Sequence, residues 1–300
     1  MKRILLTGIT VQLGQELQQT LGSLGEVTGV DRKTMDLGQP AMIRQVIGEV
    51  KPDLIVNGAA YTAVDKAETE TELANTINGT APTLIAEEVQ RLGAALIQVS
   101  TDYVFDGRKN TPYTEEDPPN PINAYGQSKL LGEEGVRKTC ERHLILRTAW
   151  VYGAFGKGNF VKTMLKLGAE REELRVVADQ VGTPSWTRDI AGAIAQLGQQ
   201  ITRERAEKPP LTGVYHFTNS GVASWYDFAV AIFEEAQQLG FPLKVQRVVP
   251  ITTPEYPTPA QRPAYSVLST KKISTILGTD PPHWRESLRR MLKQLYCQQL

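Results

Sequence analysis

The stretch Ile4-Leu5-Leu6-Thr7-Gly8-Ile9-Thr10-Val11-Gln12-Leu13-Gly14 decides how this chain is read. An apolar run ends in a glycine turn, and Leu13, Leu17 and Leu21 then recur at helical spacing. Strand, tight turn and helix together form the arrangement in which a dinucleotide pyrophosphate meets the backbone N–H groups of a helix N-terminus. Gly8 and Gly14 take the outer places of a G-x-x-G-x-x-G pattern, and Val11 takes the middle one. A side chain at Val11 would crowd a diphosphate or push its own backbone outward. Taken alone, the turn is either a cofactor turn or an ordinary strand-to-helix connection; its place between a first strand and a first helix favours the cofactor. Gly8, Gln12, Leu13 and Gly14 are therefore candidate cofactor contacts.

The same alternation continues outward. Val27 to Val30, Asp53 to Val56, Ala95 to Val99 and His143 to Leu146 are short apolar runs. Amphipathic stretches separate them at Ala41 to Val50, Leu73 to Leu92 and about Asn123 to Lys138. Short strands that are apolar along their length and separated by helices predict a parallel sheet covered on both faces. The expected fold class is α/β, a doubly wound, Rossmann-type parallel sheet whose crevice lies beyond the carboxyl ends of the strands. The second strand ends in Val30-Asp31-Arg32-Lys33. An acid there suits a ribose 2′-hydroxyl and an arginine suits a 2′-phosphate, so both cofactor forms remain open, with Arg32 and Lys33 favouring the phosphate. Asp36 and Leu37, just beyond, complete the candidates on this side.

Composition narrows the field. The 300 residues carry 33 Lys+Arg and 33 Asp+Glu, a formal charge of zero, which argues against a chain that coats nucleic acid or an anionic membrane. Cys140 and Cys297 are far apart and His143, His216 and His283 are scattered, so neither a disulfide framework nor a zinc site is expected. MKRILLTG runs directly into strand-like sequence, and no apolar run approaches a spanning helix, so a cytoplasmic protein is expected. Beyond Val151 the texture changes, with helical patterns at Asn159–Leu167, Asp189–Leu197, Trp225–Leu239 and Trp284–Leu295 and a Pro-rich run from Tyr256 to Pro263. The expected organisation is a cofactor domain over residues 1–150 and a smaller α/β substrate region over 151–300, partly interleaved with it.

Tyr125-Gly126-Gln127-Ser128-Lys129 sets a tyrosine and a lysine one helical turn apart, on one face. Such a pair is common by chance; its weight comes from following the glycine turn and from Ser100-Thr101-Asp102 at the end of the fourth strand. Hydride delivery to a carbonyl builds negative charge on oxygen, which needs a nearby proton donor. A phenol with an ordinary pKa near ~10 is a sluggish acid/base partner at neutral pH, and a neighbouring ammonium, joined by the positive nicotinamide in the oxidised complex, is expected to lower it. The Thr101 hydroxyl would hold the carbonyl oxygen in register.

At this point the chain resembles the dTDP-4-dehydrorhamnose reductases, extended members of the short-chain dehydrogenase/reductase superfamily. The similarity runs through IVNGAAYTAVDKAE (Ile55–Glu68), STDYVFDG (Ser100–Gly107), PINAYGQSKLLGE (Pro121–Glu133), LRTAWVYG (Leu146–Gly153), DQVGTP (Asp179–Pro184) and PAQRPAYS (Pro259–Ser266). The VDKAE and PAxRPxxS segments are more specific to that family than the superfamily motifs are. The resemblance implies reduction of the 4-keto group of dTDP-4-dehydro-L-rhamnose, with Thr101, Tyr125 and Lys129 as the catalytic set. It places Ala59, Ala60 and Thr62, with Tyr125 and Lys129, along the cofactor, which is NADPH with NADH as the alternative. Lys66, Thr101, Asp102, Trp150 and Arg262 fall where the family meets the sugar nucleotide, and a guanidinium such as Arg262 suits a diphosphate.

Some family members hold a divalent metal between subunits through carboxylates on the first and last helices. Glu16 is present, but Arg290-Met291-Leu292-Lys293-Gln294-Leu295 offers no acid, so no such metal is expected, and the chain is expected to be a monomer or weak dimer. Two other functions compete. One is a non-catalytic relative resembling the regulatory subunit of methionine adenosyltransferase, towards which Val11 leans; the other is a reductase or epimerase of another nucleotide sugar. The intact Thr101, Tyr125 and Lys129 favour catalysis. Arg32→Ala is expected to weaken NADPH binding more than NADH binding in parallel titrations; equal losses would remove the 2′-phosphate contact from the account.

Overall fold

In the computed structural model of the chain, which describes residues 1–203 and 211–298, the apolar runs pair into one parallel sheet. The first half runs β1 (Lys2–Thr7), α1 (Gln12–Leu21), β2 (Gly25–Val30), α2 (Pro40–Val50), β3 (Leu54–Asn57), α3 (Val64–Ala67), α4 (Thr71–Asn75), α5 (Ala81–Leu92), β4 (Ala95–Thr101), α6 (Ala124–Thr139) and β5 (His143–Thr148). The second half continues with β6 (Val151–Tyr152), α7 (Phe160–Glu170), β7 (Glu173–Val177), β8 (Val181–Gly182), β9 (Ser185–Trp186) and α8 (Thr187–Ile201). It ends with β10 (Gly213–His216), β11 (Ala223–Ser224), α9 (Trp225–Gln238), β12 (Arg247–Ile251), α10 (Lys271–Leu277) and α11 (Trp284–Cys297).

The large sheet has the order β10-β5-β4-β3-β1-β2. The chain leaves β1 for β2 on one side and crosses back to β3 on the other, so the switch point lies between β1 and β3. Thr7, the last residue of β1, is in register with Val30 of β2 and with Asn57 of β3. Successive side chains point to opposite faces. Ile4, Leu6, Val56, Ile97 and Leu146 pack against Leu13 and Leu17 of α1 and Ile190 and Ile194 of α8. Leu5, Ile55, Leu96 and Ile145 pack against Ile43 of α2, Ile85 of α5 and Val136 of α6. Each fully buried aliphatic side chain contributes roughly 1.5–3 kcal/mol. A separate apolar cluster joins α7, α9 and α11 through Val161, Phe228, Ile232 and Leu288, and α8 and β10 return from the second half to the large sheet and its layers.

The helix expected over Leu73 to Leu92 is not uniform. Between α4 and α5 the chain widens into a π turn over Thr76–Thr80. Pro82 has no N–H to give the Asn78 carbonyl, so regular α-helical bonding fails there. The backbone of α6 approaches closely at this spot: a Cβ on Gly132 would lie 2.1 Å from the Asn78 carbonyl oxygen.

The opening turn makes similar demands. Gly8 has φ +74°, and a Cβ on Gly14 would sit 2.0 Å from the Gly8 carbonyl oxygen. Val11, by contrast, has ordinary extended backbone (φ −89°, ψ 162°) and an exposed side chain, so no glycine is required of its conformation. Gly14→Ala is expected to cost about 1–3 kcal/mol through overpacking, read as a lower denaturant midpoint; an unchanged midpoint would contradict this packing.

Candidate active site

The carboxyl edge of the sheet is tied together by side chains. The Thr7 hydroxyl donates to Asn57 Oδ1 at 2.6 Å, and Asn57 Nδ2 donates to Gln98 Oε1 at 2.7 Å, all three groups being buried. Ala59 N–H donates to the Thr7 hydroxyl oxygen at 3.1 Å, which draws the turn after β3 against Gly8. Ala59 and Ala60 are half-buried in this turn, and Thr62 and Lys66 stand exposed beyond it. Asn78, from the π turn, accepts from Tyr61 N–H at 2.8 Å and donates to the Tyr61 carbonyl and to the Ser128 hydroxyl of α6. Sequence reasoning passed over Asn78, which connects the turn after β3 to α6.

The N-terminus of α1 carries no side-chain cap. The N–H groups of its first turn, at Gln12, Leu13 and Gly14, have no intrahelical acceptors. The Gln12 side chain is held elsewhere: it donates to the Val151 carbonyl and accepts from Asn159. Leu13 is in the core. At the end of β2, Asp31 Oδ1 accepts from Lys33 N–H, Thr34 N–H and the Thr34 hydroxyl, which hold the carboxyl below its ordinary range. The Arg32 side chain extends into solvent with Nε 3.5 Å from Asp36, Asp36 Oδ1 caps Gly38 N–H, and Leu37 is buried. Uncapped donors, glycines where a Cβ would clash, and Asp31 beside Arg32 fit a dinucleotide.

Thr101 ends β4 and Tyr125 and Lys129 lie in the first two turns of α6, which Asn123 precedes as its cap. Asn123 Oδ1 caps the helix at Gly126 N–H, and its Nδ2 donates to the Gln261 carbonyl in the Pro-rich segment. The Thr101 hydroxyl lies against the Tyr125 phenol and donates to Asp102 Oδ1 at 3.0 Å. Lys129 Nζ donates to the Val99 carbonyl at 2.8 Å. The expected lowering of the phenol does not occur in the protein by itself. Burial pushes Tyr125 up to about 12, Thr101 opposing and the Asp102 carboxylate adding to the rise. Burial also brings Lys129 down to about 8, against the pull of Glu133. The lysine is directed at the strand rather than at the phenol, so desolvation governs both groups.

The substrate side comes from distant sequence. Arg262 Nη2 donates to Asp65 Oδ2 at 2.9 Å, and its other arm meets the Thr258 hydroxyl and the Ala260 carbonyl. The guanidinium holds the Asp65 carboxyl below its usual range. Tyr103 lies between Arg262 and Tyr125, edge-on to the latter at 5.5 Å. Trp150 follows β5 with a left-handed backbone (φ 46°), stacked on Trp225 at 3.5 Å, and a Cβ on Gly182 would strike its ring. Sequence reasoning did not single out Asp65, Tyr103 or Trp225, because their partners lie far along the chain.

A Rossmann-type sheet with a glycine turn at its switch point and a threonine, tyrosine and lysine at its carboxyl edge defines an oxidoreductase-type site of the short-chain dehydrogenase/reductase kind. Comparison with known proteins makes this specific. The RmlD substrate binding domain family matches residues 1–297. A dTDP-4-dehydrorhamnose reductase from Burkholderia thailandensis is 45% identical over 298 residues, spanning 99% of this chain and 100% of the relative. One from Escherichia coli K12 is 43% identical, spanning 98% of both. The crystal structure of dTDP-4-dehydrorhamnose reductase from Bacillus anthracis in complex with NADP is 39% identical, with a TM-score of 0.89 and coverage of 98% of this chain and 99% of that one. The chain belongs to the RmlD substrate-binding family, that of the dTDP-4-dehydrorhamnose reductases.

Among the described residues no helix is long and apolar enough to cross a membrane. Asp102, 2% exposed, is pushed up to about 6 by burial, against hydrogen bonds from Ser266 and Thr101. Its unfolded value is ~3.9, so the folded state binds this proton more tightly and stability falls as pH rises from about 4 to about 6. Urea midpoints of the protein and of Asp102→Asn are therefore expected to diverge across that window, the protein losing stability relative to the variant. Parallel curves would contradict the raised carboxyl.

Proposed function

We propose that the chain reduces the 4-keto group of dTDP-4-dehydro-L-rhamnose to give dTDP-L-rhamnose, with NADPH as cofactor and NADH as a weaker alternative. The observation that carries this reading is the convergence of Thr101, Tyr125 and Lys129 at one sheet edge, in a chain 45% identical to a dTDP-4-dehydrorhamnose reductase. When bound, the cofactor supplies the hydride. Gly8, Gln12, Leu13, Gly14, Asp31, Arg32, Asp36, Leu37, Ala59, Ala60 and Thr62 would hold it, the exposed Arg32 favouring a 2′-phosphate.

The chain's own residues handle the proton and the charge. Tyr125, protonated at neutral pH, gives its phenolic proton to the carbonyl oxygen as negative charge develops there. The Thr101 hydroxyl, which accepts from Tyr103 N–H, turns its one proton from Asp102 Oδ1 to that oxygen and holds it in line with the phenol. Lys129, anchored on the Val99 carbonyl one helical turn from Tyr125, would hold the nicotinamide ribose and adds cationic charge to the site in which the phenolate forms. Arg262, preset by Asp65, meets the diphosphate with Lys66, and Trp150, Thr101 and Asp102 flank the sugar. Residues 1–150 serve the cofactor and 151–300 mainly the sugar nucleotide. Free Cys140 and Cys297 support a reducing, cytoplasmic setting, and the stretch Arg290–Leu295 of the final helix, which carries no acid, supports a monomer or weak dimer.

The protein is expected to consume NADPH absorbance when the keto sugar nucleotide is generated in situ. Tyr125→Phe is expected to lower turnover by ~10²-fold or more, the size of lost general acid catalysis, with cofactor affinity nearly unchanged. Near-normal turnover in that variant would move the proton donor elsewhere. No turnover by the unmodified protein with either cofactor, alongside tight binding to another protein, would favour the regulatory relative.

A further inference from the structure

Four residues beyond Lys129 on the same face of α6 lies Glu133, only 1% exposed. Its carboxylate meets the sheet at two adjacent strands. Ser100 Oγ of β4 donates to Glu133 Oε1 at 2.5 Å. Arg147 of β5 donates through Nε to Oε1 at 2.9 Å and through Nη2 to Oε2 at 2.6 Å. Ser100 and Arg147 are register partners, so one rung of the sheet provides both contacts. The guanidinium is enclosed on its remaining sides by the Phe105 ring at 5.1 Å and by His216 Nε2 at 3.4 Å from Nη1. Ser100 immediately precedes Thr101 and follows Val99, whose carbonyl receives Lys129 Nζ.

We propose that Ser100, Glu133 and Arg147 are positioning residues that fix the rotation of α6 against β4, and thereby the placement of Tyr125 and Lys129 relative to Thr101. The proposal rests on the reductase reading above. Packing alone does not call for this group, because a buried ion pair is costly to desolvate and apolar residues of similar volume often serve stability as well or better. Apolar contacts, however, are non-directional. The bonds to Glu133 are directional and come from two strands, which resists turning of the helix about its axis. At a helix radius of about 6 Å with side chains, a rotation of ~10° displaces a side chain by ~1 Å. A misplacement of that size can cost about 10²-fold in rate.

The test uses the full chain and the NADPH assay. The double variant Glu133→Leu/Arg147→Met removes both charges together and leaves no lone buried ion. It is expected to melt cooperatively near the temperature of the unmodified protein and to bind NADPH within about threefold. Its kcat is expected to fall about 10–100-fold while KM for the sugar nucleotide changes less than about threefold. Ser100→Ala, which removes one hydroxyl and leaves the ion pair, is expected to lower kcat several-fold with KM unchanged, and it supplies the answer if the double variant does not fold. An unchanged kcat in a folded double variant, or in Ser100→Ala, would overturn the proposal while leaving the reductase reading intact. Absence of turnover by the unmodified protein would instead overturn that reading, and the proposal with it.

Discussion

The parallel pairing of β1, β3, β4 and β5 is the constraint on which the site depends. It brings four strand ends to one edge, where each connection that follows carries a functional segment. The buried line Thr7–Asn57–Gln98 makes that edge rigid, joining the glycine turn, the Ala59 turn and the strand that ends at Thr101. Such groups are stable only because each finds a partner; a buried amide left unpaired would cost about 1–3 kcal/mol. The edge is therefore polar and ordered at the same time.

Burial sets the chemistry. The same desolvation raises a phenol, raises a carboxyl and lowers an ammonium, since each shift favours the neutral form. Tyr125 rises to about 12, Asp102 to about 6, and Lys129 falls to about 8. At neutral pH a phenol is protonated whether it lies at ~10 or at about 12, so the rise makes Tyr125 a weaker acid, and giving a proton to a developing alkoxide depends on the hydroxyl and cationic groups placed beside it. Neutrality of the whole chain fits the same picture. With 33 cationic and 33 anionic side chains, the proposed function rests attraction for anionic diphosphates on placed groups: the first turn of α1, Arg32 and Arg262.

The fold was legible in the sequence because its signals are local. Apolar runs, a glycine turn and helical periodicity reveal a doubly wound sheet without knowledge of distant partners. The pattern of Thr101, Tyr125 and Lys129 was legible for the same reason, although the direction of the Tyr125 shift was not. That direction depends on burial by segments far along the chain, and the lysine that was expected to lower it is bonded to a strand carbonyl. The π turn escaped because periodicity does not register one widened turn, even though Pro82 marks the missing donor. Arg262 with Asp65, and Trp150 with Trp225, escaped because each pairing joins residues brought together only by the tertiary fold. Val11 showed the opposite error, since a missing motif glycine mattered less than its place suggested: the backbone there is ordinary.

Hydride transfer to the 4-keto carbon of a deoxysugar nucleotide is the step that all of these groups would serve. The most direct measurement follows the hydrogen. The protein is supplied with NADPH deuterated at both C4 positions of the nicotinamide and with dTDP-4-dehydro-L-rhamnose generated in situ, and the sugar nucleotide is analysed by mass spectrometry and NMR. The account predicts dTDP-L-rhamnose carrying one deuterium, at C4 of the sugar. An unlabelled product, label at another carbon, or no reduced sugar would contradict it.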